Sequence, residues 1–296
     1  MAKIGLFLAL GLVFSSGFLY AASIATDASF TLGTAVTGTS SGNTQRNPIV
    51  WSKCSWEALW QLNPDPWGVN PDAKGSITMT YGGNGSVVTK VDLSGLKLAG
   101  VNGYPFIFYG HDPYGYHMDG QPLVFPVQLK SLSSLTIDAS YTLSIPGSAP
   151  GDLDVAFDEW LIPDPSYTGG SSGSLEVLIA PYFKFGSAPA GTFVGTVTQP
   201  VIVNGKTTST VFDEYSTGMG PGHLIVFFPR DGQIASGDIR FNLLDFMKIG
   251  ASTAGLDYDW YLAGIEFGTE FGKTSEAKYT LTTNKLSIEE EFITGR

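Results

Sequence analysis

Polar and apolar positions alternate with a period of two along most of the chain beyond Ile49, the signature of half-buried strands. Runs of this kind cover Ser76–Tyr81, Ser86–Leu93, Tyr104–Tyr109, Leu132–Leu143, Asp154–Leu161, Leu175–Phe183 and Phe193–Val203. Thr208–Phe212, Leu224–Phe228, Ile239–Phe241, Asp259–Phe267 and Tyr279–Ile288 complete the set, most of them bounded by Gly, Pro, Asn or Asp. Only Asn242–Lys248 carries apolar residues at helical spacing. No fixed-period repeat is present. This many short strands in one stretch predicts a single all-β domain, a jelly-roll-like sandwich of two antiparallel sheets with a concave cleft and one short helix. A lectin-like binding domain has the same pattern.

The alternation is most informative in Trp260–Gly272, WYLAGIEFGTEFG. Ile265, Phe267, Thr269 and Phe271 fall on one face, and Glu266, Gly268 and Glu270 on the other. Carboxylates are depleted in strands, and a glycine between them leaves space above the sheet for a ligand. Two readings follow: a solvent-facing strand with two acids, or a carboxylate on the floor of a cleft.

Asp154–Tyr182 has the form of a hairpin, two strands joined by a Pro/Gly/Ser loop. Asp154, Ala156, Asp158 and Trp160 share a face opposite Val155, Phe157, Glu159 and Leu161. Glu176 lies on the same face as Leu178 and Ala180, so pairing brings Asp158 and Glu176 to one side. An amphipathic hairpin with surface acids gives the same pattern. Glu159 sits on the apolar face, which implies a bend there or a partner.

Four of the six tryptophans fall in Ile49–Gly68, which ends in the turn residues Pro64, Asp65, Pro66 and Gly68. Trp51 and Trp56 are assigned to the core. Trp67, inside the turn, suits a wet cleft, because an indole face is a stacking platform for a sugar ring.

Composition narrows the partners. A net charge of −11 argues against nucleic acid, which needs a basic stripe. Only 15% of residues are charged, a neutral and hydroxyl-rich surface suited to uncharged substrates. One cysteine, Cys54, excludes an intrachain disulfide and a cysteine-based zinc site. His111, His117 and His223 lack metal-ligand spacing, so neither metal nor organic cofactor is expected. Residues 1–22 have the form of an export signal, with Lys3, an apolar run from Ile4 to Phe14, and small residues around Ala21 and Ala22. The expected product is secreted, or tethered where that segment stays uncleaved. Residues 23–48 read as a Ser/Thr/Gly-rich linker or arm with an edge strand near Phe30 and Leu32, and residues 49–296 as the folded domain. A monomer is expected.

Three motifs in order, YPFIFYG (Tyr104–Gly110), AFDEWL…LEVLIAPYF (Ala156–Phe183) and IEFGTEF (Ile265–Phe271), resemble glycoside hydrolase family 12, the endo-β-1,4-glucanases with a β-jelly-roll fold. Trp67–Gly68 resembles that family's Asn-x-Trp-Gly segment. The resemblance implies a catalytic nucleophile at Glu176, an acid/base at Glu270, and an aspartate hydrogen-bonded to the nucleophile at Asp158. It implies sugar stacking on Trp67, with Tyr109, Trp160 and Glu266 as further candidate substrate contacts. It also implies a β-glucan polysaccharide substrate, a retaining mechanism and no cofactor. Leu178 and Ala180 stand where the family has Met and Trp, Phe106 where it often has Glu, and Glu159 where it has an apolar residue. The competing readings are a β-1,4-xylanase of the related jelly-roll family and a non-catalytic carbohydrate-binding protein with Trp67, Tyr109 and Tyr114 as platforms. FGTE and F-D-x-W-L favour the glucanase.

Overall fold

The computed structural model describes residues 28–32, 50–53, 59–70, 72–81, 86–114, 125–146, 151–184 and 190–293. Residues 1–22, for which an export role is expected, most of residues 23–48, Cys54, Trp56, His117 and the side chain of Trp51 lie outside that description.

Strand pairing follows one path that folds over on itself. One half runs Ala28–Leu32, Lys74–Tyr81, Val87–Ser94, Glu276–Phe292, Leu132–Ser144 and Ser236–Asn242. The other runs Lys206–Ser216, Leu224–Pro229, Leu175–Lys184, Asp152–Ile162, Gly264–Gly268, Phe106–Gly110, Leu59–Asn63 and Val50–Lys53. Thr192–Val203 joins the halves, pairing with Lys206–Ser216 along its length and with Ser236–Asn242 at its end. The result is a two-layer β-sandwich with the jelly-roll character the alternation predicts. The strand near Phe30 is present at the edge of the first half.

The core lies between the halves. Ile77, Val91, Leu135, Ile137 and Leu281 come from the first half and Leu62, Ile107, Val155, Phe157, Val177 and Phe267 from the second, all essentially without exposure. Rings lock the layers face to face: Tyr141 meets Phe267 at 5.5 Å and Phe157 meets Phe241 at 5.2 Å between centroids. Aromatic pairs at this separation contribute roughly 0.5–1.5 kcal/mol beyond their burial.

Four features differ from the sequence pattern. Leu175–Lys184 and Leu224–Pro229 run parallel, with Glu176 opposite Leu224, so the sandwich is not wholly antiparallel. The chain first lays down the Thr192–Val203/Lys206–Ser216 hairpin, and Leu224–Pro229 then fills the place between it and Leu175–Lys184. The helix runs to Ala254 rather than stopping at Lys248. Gly250 continues it because the helix presses against a strand there; a Cβ would stand 3.0 Å from Val177 Cγ2. Gly255 ends it with φ 75, left-handed backbone that glycine adopts freely. Leu59–Asn63 is a strand although its tryptophan-rich surroundings and turn residues hid the alternation. The predicted Asp259–Phe267 strand is split into Tyr261–Leu262 and Gly264–Gly268, with Phe271–Gly272 following.

Candidate active site

The concave layer exposes the even-numbered face of the Asp152–Ile162 strand. Val155, Phe157 and Leu161 enter the core, while Ala156, Asp158 and Trp160 face out of it. In the neighbouring strand Val177 and Ile179 are core residues and Glu176, Leu178 and Ala180 lie on the opposite face. Trp160 is opposite Glu176, and Asp158 is opposite Leu178 on one side and Glu266 on the other. In Gly264–Gly268, Ile265 and Phe267 point inward, which turns Glu266 outward beside Asp158.

These faces line a cavity of about 300 Å³ that gathers Trp67, Asp158, Trp160, Glu176, Glu266 and Glu270, together with Asp65, Tyr104, Phe106, Asp112, Tyr114 and Ser171. A second hollow of about 130 Å³ continues past the same two glutamates, over Asp154, Leu178, Leu224, Val226, Phe228 and Lys273. Glu176 and Glu270 therefore stand where a polar, aromatic arm meets an apolar one. Trp67 is 50% exposed on the first arm, free to present its ring face. Tyr114 packs edge-on to Trp160 at 5.5 Å, and Tyr104 stacks on Phe106 at 5.2 Å, which builds the aromatic floor.

Tyr109 is not in the cavity. Its Cα partner is the core residue Ile265, so it turns inward, and its ring meets Phe125 edge-to-face at 5.7 Å. The outward positions of that motif are Phe106 and Phe108, with Tyr104 just before the strand. Counting alternation from Tyr104 would have selected them. Asp112 and Asp65 gave no periodic signal, because both lie in irregular backbone. Gly268 is also not an opening for a ligand, as the sequence suggested: a Cβ there would lie 2.2 Å from the Pro105 carbonyl oxygen. The glycine admits neighbouring backbone.

Burial dominates the electrostatics. It raises Glu176 to about 7, and a side-chain hydrogen bond with Asp158 pulls the other way. Asp158 is held well above the usual carboxylate range by burial and then by the charges of Glu176, Glu266 and Glu270. Glu270 is pushed well up by burial, then by Asp154 and Glu176, with Lys273 opposing. Both glutamates are thus held above the ordinary carboxylate range, Glu270 with the added push of neighbouring charges and Glu176 against the pull of a hydrogen bond.

Glu159 lies outside this arrangement. It is completely buried on the core face, and among the described residues neither carboxyl oxygen has a partner at full hydrogen-bond geometry. Burial raises it well above the usual range, and the Glu266 charge adds to this; the Glu266 backbone N–H acts only as a weaker counter-pull. Among the described residues no ion pair relieves it, and its strand continues through it from Asp152 to Ile162. Among the described residues no group of three or more His, Cys, Asp and Glu could hold a metal ion, and no helix is long and apolar enough to cross a membrane.

The sequence profile of Glycosyl hydrolase family 12 matches residues 48–289. Curated protein sequences yield no match. Among solved structures, endoglucanase cel12A from Rhodothermus marinus is similar at 18% identity and TM-score 0.59, covering 79% of this chain and 92% of its own. An endo-1,4-β-glucanase CelB2 is similar at 21% identity and TM-score 0.61, covering 83% and 98%. A family 12 xyloglucanase from Bacillus licheniformis is similar at 17% identity and TM-score 0.62, covering 90% and 100%. At these identities the likeness is one of fold.

Proposed function

Because the chain belongs to glycosyl hydrolase family 12, we propose that it is an endo-β-1,4-glucanase, cleaving internal bonds of cellulose or a related β-glucan with retention of configuration. One observation carries the reading: Glu176 and Glu270 face the same space where the two arms of the cleft meet, Glu176 beside Asp158 and Glu270 beside Asp154. Glycoside hydrolysis needs one protonated carboxyl and one carboxylate at the scissile bond. In this scheme Glu270 gives its proton to the leaving oxygen as Glu176 attacks the anomeric carbon, and a glycosyl-enzyme ester forms. The Glu270 carboxylate then takes a proton from water, which attacks the same carbon and frees Glu176. The hydrogen bond from Asp158 favours the ionised nucleophile. Trp67 offers a ring face to the glucan, Trp160 lines the same cavity, and Glu266 offers its carboxyl group to the glucan hydroxyls.

The test is product analysis on carboxymethylcellulose, mixed-linkage glucan, xyloglucan and xylan, with the anomeric configuration followed by NMR. Release of β-anomers from a β-1,4-glucan supports the reading. Exclusive action on xylan, binding without cleavage, or inversion overturns it. Glu176→Gln and Glu270→Gln should each abolish turnover without unfolding the protein. The apolar run in residues 4–14 supports export, read out by the N-terminus of the mature protein; a cytoplasmic product that keeps Met1–Ala22 would overturn it.

A further inference from the structure

Two aspartates stand four residues apart on the concave face of Asp152–Ile162, and each is beside one of the two glutamates. Asp158 serves Glu176. Asp154 has a comparable relation to Glu270, which no sequence motif announces.

The reason lies in a gap in the sheet. Asp152–Ile162 pairs with Gly264–Gly268 through Ala156–Asp158 and with Phe271–Gly272 through Asp152 and Leu153. Between them Thr269 and Glu270 leave the regular ladder. Thr269 turns fully inward, with its hydroxyl 2.9 Å from that of Tyr279. Glu270 is fastened by Asp154 twice. The Asp154 N–H donates to the Glu270 carbonyl at 3.0 Å, and the Glu270 N–H donates to Asp154 Oδ1 at 2.9 Å. A carboxylate thus takes the place of a ladder carbonyl at the residue whose side chain enters the cleft. Asp154 is 2% exposed, so this hydrogen bond is shielded from competing water.

We infer that Asp154 is a positioning residue for Glu270, clamping the donor's backbone across the break in the sheet and facing it with a second buried carboxyl. This rests on reading Glu270 as the proton donor. The charge environment supports it. Asp154 is raised to about 7 by burial first, against the lowering effect of the Glu270 N–H and with a further push from Asp152. After burial, Asp154 is the strongest influence raising Glu270. The other charged or titratable groups around the pair are Glu176 on the next strand, Asp158 and Tyr104 across the cleft floor, the Tyr279 hydroxyl behind Thr269, and Lys273, whose Nζ is 2.9 Å from Asp152 Oδ2. Lys273 is engaged with Asp152 and opposes the rise only partly.

Two substitutions separate placement from charge. Asp154→Asn keeps an oxygen acceptor for the Glu270 N–H and removes the carboxyl. It should lose far less kcat than Asp154→Ala, and the alkaline limb of kcat/KM should move to lower pH by about half a unit or more, because a raising influence on Glu270 is gone. Asp154→Ala loses the acceptor as well, and kcat should fall on the order of a hundredfold with KM little changed, the usual cost of misplacing a catalytic group. Carbon-13 NMR titration of the Glu270 carboxyl, identified by its loss in Glu270→Gln, reads the same displacement without substrate. An unmoved Glu270 midpoint in Asp154→Asn, or wild-type kcat in Asp154→Ala, overturns the inference. If the wild-type protein cleaves no β-glucan and the midpoint still falls, the hold of Asp154 on Glu270 stands and the glucanase reading fails. If cleavage is normal and neither quantity moves, the inference fails alone.

Discussion

Glu159 is an ionisable side chain sealed in the hydrophobic layer, and replacing it with leucine should stabilise the protein. Its face of the strand is shared with Phe157 and Leu161, its Cα partner across the sheet is Val177, and among the described residues both carboxyl oxygens lack partners at full hydrogen-bond geometry. Even as the neutral acid it leaves polar atoms unsatisfied, which costs about 1–3 kcal/mol on mutational scales. Leucine of similar volume removes that cost and restores dispersion contacts. A second contribution depends on pH. In the unfolded chain the carboxyl ionises near its ordinary value of about 4.3. In the fold, burial and the Glu266 charge hold its proton to much higher pH. Between those two values the unfolded state binds fewer protons than the native state, so native stability falls by about 1.4 kcal/mol per pH unit on account of this residue. Other buried carboxyls impose slopes of their own, and the wild-type minus variant difference cancels them. Reversible urea unfolding from pH 4 to pH 7 is the assay. Glu159→Leu should be more stable throughout, with a lead that widens as pH rises. Glu159→Gln should remove the widening and recover little of the constant part. A lead that does not change with pH, or a leucine variant less stable than wild type, would refute the reasoning.

Three further outcomes follow from the cleft. Asp158→Ala removes the hydrogen bond that lowers Glu176, so Glu176 protonates more readily and, if it is the nucleophile proposed above, the acidic limb of kcat/KM should move to higher pH; Asp158→Asn, whose amide can donate, should move it less. Trp67→Ala should raise KM for long glucans by roughly 2–10-fold, the value of one aromatic stacking contact, with kcat and thermal unfolding unchanged because the ring is half exposed. Gly268→Ala should lower stability by about 1–3 kcal/mol in thermal unfolding, since the added methyl meets the Pro105 carbonyl at a distance backbone cannot yield cheaply.

The alternation of side chains carried much of the fold because each long strand has one face in the core. Val155, Phe157 and Leu161 against Ala156, Asp158 and Trp160 divide as the period of two requires, and so do Ile265 and Phe267 against Glu266. The same rule places Glu176 and Asp158 on one side of their hairpin. It fails where the backbone departs from a regular ladder. Leu59–Asn63 was obscured by adjoining prolines and tryptophans, and the break at Thr269–Glu270 is invisible to periodicity. Tyr109 has the ring of a stacking platform, but its parity in the strand turns it inward. Asp154 was on the correct face from the start. Its relation to Glu270 spans a sequence separation that no local pattern encodes. Gly268 shows the same limit, since its reason is a neighbouring backbone and not a ligand.

The parallel pairing of Leu175–Lys184 with Leu224–Pro229 also bears on how the protein reaches its native state. The strand that carries Glu176 cannot complete its hydrogen bonds until the chain has laid down the Thr192–Val203/Lys206–Ser216 hairpin and returned. Closing such a segment costs chain entropy before any contact compensates, which makes parallel, non-local pairings slow steps in folding. The position of Glu176 should therefore be acquired late. In refolding from urea, recovery of glucan cleavage should lag behind recovery of strand signal in circular dichroism, and a break in the loop between these strands should delay activity more than secondary structure.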